Sequence, residues 1–227
     1  MSTSKGDPAR KKPVARKPGA KAAGRKTQSA AKSTHGNDYH HGDLRRALIA
    51  AGLTILEADG SDALSLREVA RRAGVSHNAP YRHFADREAL LAAIAAAGFE
   101  QWGDAMTATG GDRLEIGVAY VKFAVDHPQL FDLMFGPLLS PADHPDLAAA
   151  MGRSFGVFAG QFSAITPPVL MGGASEGPRP HLIAPWALVH GLAHLLLGKR
   201  MAKSLTGGLD VETLTRTVLI ANAQSAR

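Results

Sequence analysis

The sequence predicts an all-α protein of about nine helices. Three observations predict it. Apolar residues recur at helical spacing from Leu44 to Ala221, capping and breaking residues flank those stripes, and no stretch alternates with the two-residue period of a strand. A hydrophobic share of 45% is that of a globular chain. The 227 residues include no cysteine, which excludes a disulfide framework, a thiolate zinc site and a cysteine nucleophile, and fits a reduced, cytoplasmic setting. No apolar run approaches the roughly 18–20 residues of a membrane span. The charged N-terminus lacks the apolar core of a secretory signal, so neither membrane insertion nor export is expected.

Charge divides the chain. Residues 1–38 hold ten Lys or Arg against two Asp, while residues 39–227 are slightly acidic, so the net charge of +6 comes from the tail. Between those charges lie Ala, Gly, Pro and Ser, with Val14 the only sizeable apolar side chain. Such a segment cannot bury enough surface to offset its ordering entropy and is expected to be disordered. As a flexible polycation it suits DNA, through counterion release. It could equally be a solubilising extension or the product of a start codon placed too far upstream. Domain expectations follow: a basic tail over 1–38, a head over 39–101 and a larger helical domain over 102–227.

In the head, Leu44, Leu48, Ala51 and Ile55 form one helical stripe, with Asp43 favouring its start and Gly60 its end. His40-His41 at its beginning reads as a solvated or phosphate-facing pair rather than a ligand set. Ser65-Leu66-Arg67-Glu68 reads as a capping box that opens a second helix carrying Leu66, Val69, Ala70 and Ala73. Gly74 suits a left-handed stop, and Ser76 can cap a third helix from His77 to about Phe84, with Pro80 in its first turn. Asp86 can cap a fourth, with Leu90, Leu91, Ile94 and Ala97 apolar.

Beyond the Gly- and Thr-rich residues 107–112 the period persists. Leu114, Val118, Val121 and Val125 share a face, with Ile116, Tyr120 and Phe123 beside it. A Pro-initiated helix carries Leu130, Phe131, Met134 and Phe135 and ends at Gly136-Pro137. From about Pro145, Met151, Phe155, Phe158 and Phe162 lie on one stripe. Residues 163–180 read as a long loop. Two last helices, near 182–202 and 210–224, are split by Gly207-Gly208. Their stripes are Trp186, Val189, Ala193 and Leu197, and Val211, Leu214, Val218 and Ala221. These could form a four-helix bundle from two subunits or pack within one.

Two short helices joined by Ala73-Gly74-Val75 have the length and turn chemistry of a helix-turn-helix. The second helix would present Ser76, His77, Asn78, Ala79, Tyr81, Arg82 and His83 to DNA. Asn suits adenine, while Arg and His suit guanine or phosphate. Arg67, Tyr81 and Arg87 are placed to hold phosphates and fix register. Five Arg and two acids between Ser65 and Arg87 leave a local charge of +3.

At this point a resemblance enters. The stretch Ser65-Leu66-Arg67-Glu68-Val69-Ala70-Arg71-Arg72-Ala73-Gly74-Val75-Ser76, continued by Pro80-Tyr81-Arg82-His83-Phe84-Ala85-Asp86-Arg87-Glu88-Ala89-Leu90-Leu91, resembles the DNA-binding domain of TetR-family transcriptional regulators. With the preceding helix it covers about 39–101. The resemblance implies a three-helix head whose third helix reads an operator. Pro80 departs from it, since the family more often has Leu there, and this bears on the angle of the recognition helix. Trp186-Ala187-Leu188-Val189-His190-Gly191 is similar to the Trp-His-Gly signature of one subgroup of TetR-family effector domains. That implies a ligand-responsive domain that dimerises, usually through the last two long helices.

Residues Tyr120, Phe123, Phe131, Phe135, Phe155, Phe158 and Trp186 fit core packing one by one. As a group they could wall an apolar pocket with His190 or His194 as a polar handle. His190 and His194 are spaced for one helix face, but position 191 is Gly where a zinc protease needs Glu, and no carboxylate completes a site, so no metal is expected. No phosphate loop, Gly-x-Ser-x-Gly elbow or paired carboxylates suggest an enzyme. The expectation is a homodimeric, DNA-binding and nucleoid-associated transcriptional repressor, with a small apolar effector and no cofactor. The rival is a nucleoid-type architectural protein using the basic tail.

Overall fold

The computed structural model describes residues 36–163, 180–199 and 201–225. The expected tail 1–38 and loop 163–180 therefore fall almost wholly outside the described residues. Residues 37–227 form one compact unit. Every regular element described is helical. These are α1 (Gly36–Asp59), α2 (Leu66–Arg72), α3 (Arg87–Thr107), α4 (Arg113–Asp126), α5 (Pro128–Phe135), α6 (Pro145–Ser163), α7 (Pro180–Leu197), α8 (Lys203–Thr206) and α9 (Val211–Ser225). Short 3₁₀ turns occupy Ser61–Ala63, Pro80–Arg82 and Pro141–Asp143.

Nine α-helices are thus described, with one exchange against the expected set. α8 is added, and the expected helix from His77 to Phe84 is a chain of tight turns. Pro80 explains the difference. A helix capped by Ser76 has Pro80 as its fourth residue, where the amide should close the first i→i−4 bond onto the Ser76 carbonyl. Proline has no such amide. The chain instead closes three-residue turns, with Ala79 N donating to Ser76 O at 3.0 Å and His83 N to Pro80 O at 2.9 Å. α1 also begins before the expected Asp43, because the apolar stripe that signals it starts only at Leu44. α7 stops at Leu197 rather than near 202.

Caps written in the sequence fix the head. Ser65 Oγ accepts from Glu68 N at 3.1 Å, while Glu68 turns its carboxylate to Arg71, whose Nε lies at 2.8 Å, rather than back to Ser65. At the other end of α2, Gly74 adopts φ +68°. Its amide bonds Arg71 O and the Val75 amide bonds Ala70 O, the pair of bonds that closes a Schellman stop. Asp86 Oδ1 accepts from Ala89 N at 2.8 Å and starts α3.

α3 is the axis of the molecule. It runs unbroken through residues 101 and 102, so the head and the larger domain share one helix. Its buried side includes Leu90, Leu91, Ile94, Ala95, Phe99, Trp102 and Met106. Small residues bring its neighbours close. A Cβ on Gly52 of α1 would lie 2.6 Å from Ile94 Cδ1, one on Gly98 would lie 2.7 Å from Met134 Sδ, and one on Gly103 would lie 2.9 Å from Ser154 Oγ. α9 packs on α4 in the same way, since a Cβ on Gly117 would meet Leu219 at 2.5 Å. The stripes Val189–Ala193 and Leu214 of α7 and α9 face inward and pack within the subunit.

Arg87 has a structural task. Its Nε donates to the Leu64 carbonyl at 2.8 Å, and an Nη donates to the Ser61 carbonyl. Arg87, expected to hold phosphate, is thereby a strut between α3 and the turn before α2. Arg87→Ala should lower the unfolding free energy by about 2–3 kcal/mol, the scale of lost hydrogen bonds from a charged donor. Urea unfolding followed by circular dichroism checks this, and an unchanged midpoint would dismiss the strut.

Candidate nucleic-acid interface and apolar cavity

The head offers a polar face at the turn. Ser76, His77, Asn78 and Arg82 are exposed, Tyr81 is 52% exposed, and Ala79 and His83 are half-buried. Beneath them Pro80 and Phe84 are buried and anchor the segment to the core. Arg67 is exposed on α2, which packs against the Pro80–Arg82 turn. Arg45 of α1, not singled out in the sequence, places its guanidinium 5.6 Å from the Phe84 ring centroid. Its signal was weak, since it is one Arg beside an apolar stripe. An exposed polar surface of this kind beside a capped helix can accept phosphate and base edges as hydrogen-bond partners.

The second feature is a cavity of about 690 Å³ between α5, α6 and α7. Met134, Phe135 and Gly136 at the end of α5 line it, followed by Leu139 and Pro141. α6 contributes Met151, Phe155, Phe158 and Ala159, with Gly152 and Gly156 between them, and α7 contributes Leu182, Ile183 and Trp186. Four of the nine expected pocket residues are therefore wall residues: Phe135, Phe155, Phe158 and Trp186. The methionines, glycines and aliphatic residues of the wall were not singled out, since in a sequence they look like ordinary core. Gly152 and Gly156 each cost a helix interior about 1 kcal/mol relative to Ala. A Cβ on either would meet nothing within 4 Å, so no packing neighbour demands a glycine at either position.

Behind the wall lies an aromatic box. Trp102 sits edge-on to Tyr120 at 5.1 Å, to Phe155 at 5.4 Å and to Phe135 at 5.8 Å. Its buried Nε1 finds no acceptor among the described residues. Phe131 packs on Phe135 at 4.7 Å, while Phe123 stacks on His127 at 4.9 Å, away from the cavity lining.

Tyr120, His190 and His194 join into one hydrogen-bonded chain with Trp186. Trp186 Nε1–H donates to Tyr120 Oη at 3.1 Å, and Tyr120 Oη lies 2.8 Å from His190 Nδ1. His190 Nε2 lies 3.1 Å from His194 Nε2. The indole can only donate. With the phenol accepting that bond and donating its proton to Nδ1, His190 carries its own proton on Nε2 and passes a bond to His194. Burial pushes the Tyr120 phenol well above its ordinary range and keeps it a neutral donor. Burial, and after it the neighbouring His194, hold His190 below the ordinary imidazole value. Among the described residues no group of three or more metal-ligating side chains is present.

A capped helix and glycine turn presenting polar side chains, attached through one long helix to an all-helical body, define a helix-turn-helix DNA-binding regulator of transcription. Comparisons with known proteins agree. The family description "Bacterial regulatory proteins, tetR family" matches residues 48–94, and "Tetracyclin repressor-like, C-terminal domain" matches residues 114–219. A structure of a protein of unknown function from Rhodococcus sp. RHA1 is 32% identical with a TM-score of 0.61, over 80% of this chain and 94% of that one. A bacterial regulatory protein of the tetR family from Rhodococcus RHA1 is 23% identical at a TM-score of 0.53, over 78% and 94%. The multidrug binding protein EbrR, complexed with imidazole, shares the fold at 19% identity and a TM-score of 0.54, over 84% and 96%. No curated protein matches the chain. The chain belongs to the TetR family of transcriptional regulators.

The depressed His190 sets a sign for pH dependence. The unfolded chain binds this proton near pH ~6.5, before the folded one does. The contribution is therefore complete above that value and is lost as the pH falls below it. His190→Gln should flatten the thermal midpoint between about pH 7 and pH 5, and a slope as steep as that of the parent protein would place its origin elsewhere.

Proposed function

We propose that the protein is a ligand-responsive repressor that binds a palindromic operator as a homodimer. The observation that carries the DNA-binding part is the head's geometry: a capped α2, a closed Schellman stop and an exposed Ser76-His77-Asn78 segment, with Tyr81 and Arg82 beyond it. His77 and Asn78 are the base-reading side chains in this reading, and Arg67, Tyr81 and Arg82 hold phosphates.

Dimerisation is supported by a face that packing within the subunit leaves over. On α7, Ala184, Ala187, Gly191 and Leu195 are exposed at intervals of three and four, with Ile183 beside them. On α9 the same holds for Thr213, Thr217, Ile220, Ala221 and Gln224. Two copies of this pair of faces could close a four-helix bundle with a twofold axis. The paired heads would then meet successive major grooves ~34 Å apart.

A route from cavity to head supports ligand response. Leu139 and Pro141 line the cavity, and the same segment continues to His144, whose Nε2 lies 3.1 Å from Glu88 Oε1. Glu88 stands in the first turn of α3 beside Arg87, which holds the head's 61–64 turn. His127, at the start of α5, reaches Glu57 of α1 at 3.5 Å. An occupant that shifts the α5–α6 connection would press on both links. Regulation still requires that the occupant bind the two head arrangements with different affinity.

Fluorescence anisotropy against the DNA upstream of the protein's own gene tests the reading, with random duplex as competitor. Two subunits per site and resistance to competitor support it. Equal competition by random duplex would favour an architectural role. Asn78→Ala should weaken operator binding by ~1–3 kcal/mol and spare random DNA, while Arg67→Ala should weaken both alike. Ala187→Glu places a charge on the exposed α7 face. It should leave a folded monomer by sedimentation, and a persistent dimer would put the interface elsewhere.

A further inference from the structure

We infer that the cavity takes an uncharged, flat, fused-ring aromatic molecule, and that anionic and cationic effectors are excluded by its chemistry. This deepens the ligand-responsive reading and rests on it. The argument begins with what the wall lacks. No lining side chain among the described residues is charged, and Trp186 alone carries a hydrogen-bonding N–H. That N–H is already donated to Tyr120, which is buried and engaged in turn with His190. A carboxylate, phosphate or ammonium set against this wall would lose part of its hydration and find no described side chain to hydrogen-bond or neutralise it in return. A cationic drug would need a carboxylate in the wall, and an acyl chain with an acidic head would need a Lys or Arg. Neither is present among the described lining residues.

Shape points to rings rather than a flexible chain. Phe155 and Trp186 stand nearly perpendicular, 85° apart at 5.4 Å between centroids, and Phe135 stands at 85° to Phe155 at 6.4 Å. Rings offered at such angles suit the offset and edge-to-face contacts of another ring. On α6, Gly152 and Gly156 lie four residues apart on the cavity side, and a Cβ on either would meet nothing within 4 Å. Helix packing thus does not demand these glycines, and their effect is a smooth strip of backbone on which a planar molecule can lie. Met134 and Met151 flank it with adaptable thioethers. The volume, about 690 Å³, lies within the range of ~300–1,000 Å³ usual for small-molecule sites.

Three naphthalenes that share a ring and differ in charge test this by isothermal titration calorimetry at pH 7. They are 2-methylnaphthalene, 2-naphthoate and 2-(aminomethyl)naphthalene, with 1-octanol as an uncharged chain. The neutral naphthalene is expected to bind at least ten-fold more tightly than each of the others. A charged congener binding as tightly would overturn the exclusion of charge, and octanol binding as tightly would overturn the preference for rings. Gly156→Leu fills the strip and should weaken 2-methylnaphthalene at least ten-fold while the thermal midpoint does not fall. If that variant fails to fold, Ile183→Trp narrows the same cavity from a half-exposed position of α7. Unchanged affinity in a folded variant would move the site elsewhere. The protein–operator complex separates the two readings. Binding of 2-methylnaphthalene without DNA release keeps the ligand class and removes regulation by it. Release by 2-naphthoate alone keeps regulation and overturns the ligand class.

Discussion

The structure depends on how closely other helices can approach α3. An α-helix with side chains is about 10–12 Å across, and most pairs stay 8–10 Å apart. α3 draws α1, α5 and α6 in through Gly52, Gly98 and Gly103, positions where a single added carbon would strike Ile94, Met134 or Ser154. Ser154 then hydrogen-bonds the Phe99 carbonyl, so a polar side chain is satisfied inside the most intimate helix pair of the fold. The same helix begins in the head at Arg87 and ends at Thr107, beyond the aromatic box. Because it is unbroken, a displacement at its aromatic-box end and one at its head end are not independent.

Much of this was legible because it is local. Ser65, Gly74 and Asp86 act within three or four residues of themselves, and short-range geometry fixes what each can do. The stripes were legible for the same reason, since burial of Leu48, Val69, Leu90 and Val121 follows the 3.6-residue period. Pro80 shows where local reading needs one more step. Its place in a first turn was recognised, but it stands at the fourth position, the first whose amide the helix requires. The chain of Trp186, Tyr120, His190 and His194 was out of reach, because its central bond joins residues seventy apart in sequence. Cavity walls are harder still, since a Met or Phe beside empty space has the same sequence signature as one in a filled core.

Charge and apolarity are kept apart in this chain. The described outer face of the head gathers Arg67, Arg82, His77 and Asn78, side chains whose desolvation only a polar or anionic surface would repay. The cavity wall gathers Met, Phe, Leu and Gly, whose exposure only an apolar body would relieve. The two are connected by polar side chains at the edges, His144 to Glu88 at 3.1 Å and His127 to Glu57 at 3.5 Å. Such pairs are weak when exposed. Weak links suit a joint that must shift between arrangements of similar free energy, where a strong buried pair would lock one of them.

The same reasoning bears on the recognition segment. A 3₁₀ path rises about 2.0 Å per residue and places every third side chain in line, whereas an α-helix rises 1.5 Å and repeats every 3.6. Only Pro80–Arg82 takes the 3₁₀ form here, after the turns of residues 76–79. Asn78 in the turns and Tyr81 in the 3₁₀ piece form its exposed edge. Pro80, buried below them with φ fixed by its ring, holds that edge with less backbone freedom to lose on binding. Phe84 under Arg45 fixes the far end. A segment of this form offers few exposed side chains to a groove, and on the proposed reading His77 and Asn78 meet bases while Tyr81 and Arg82 meet phosphates, which fix register without reading sequence.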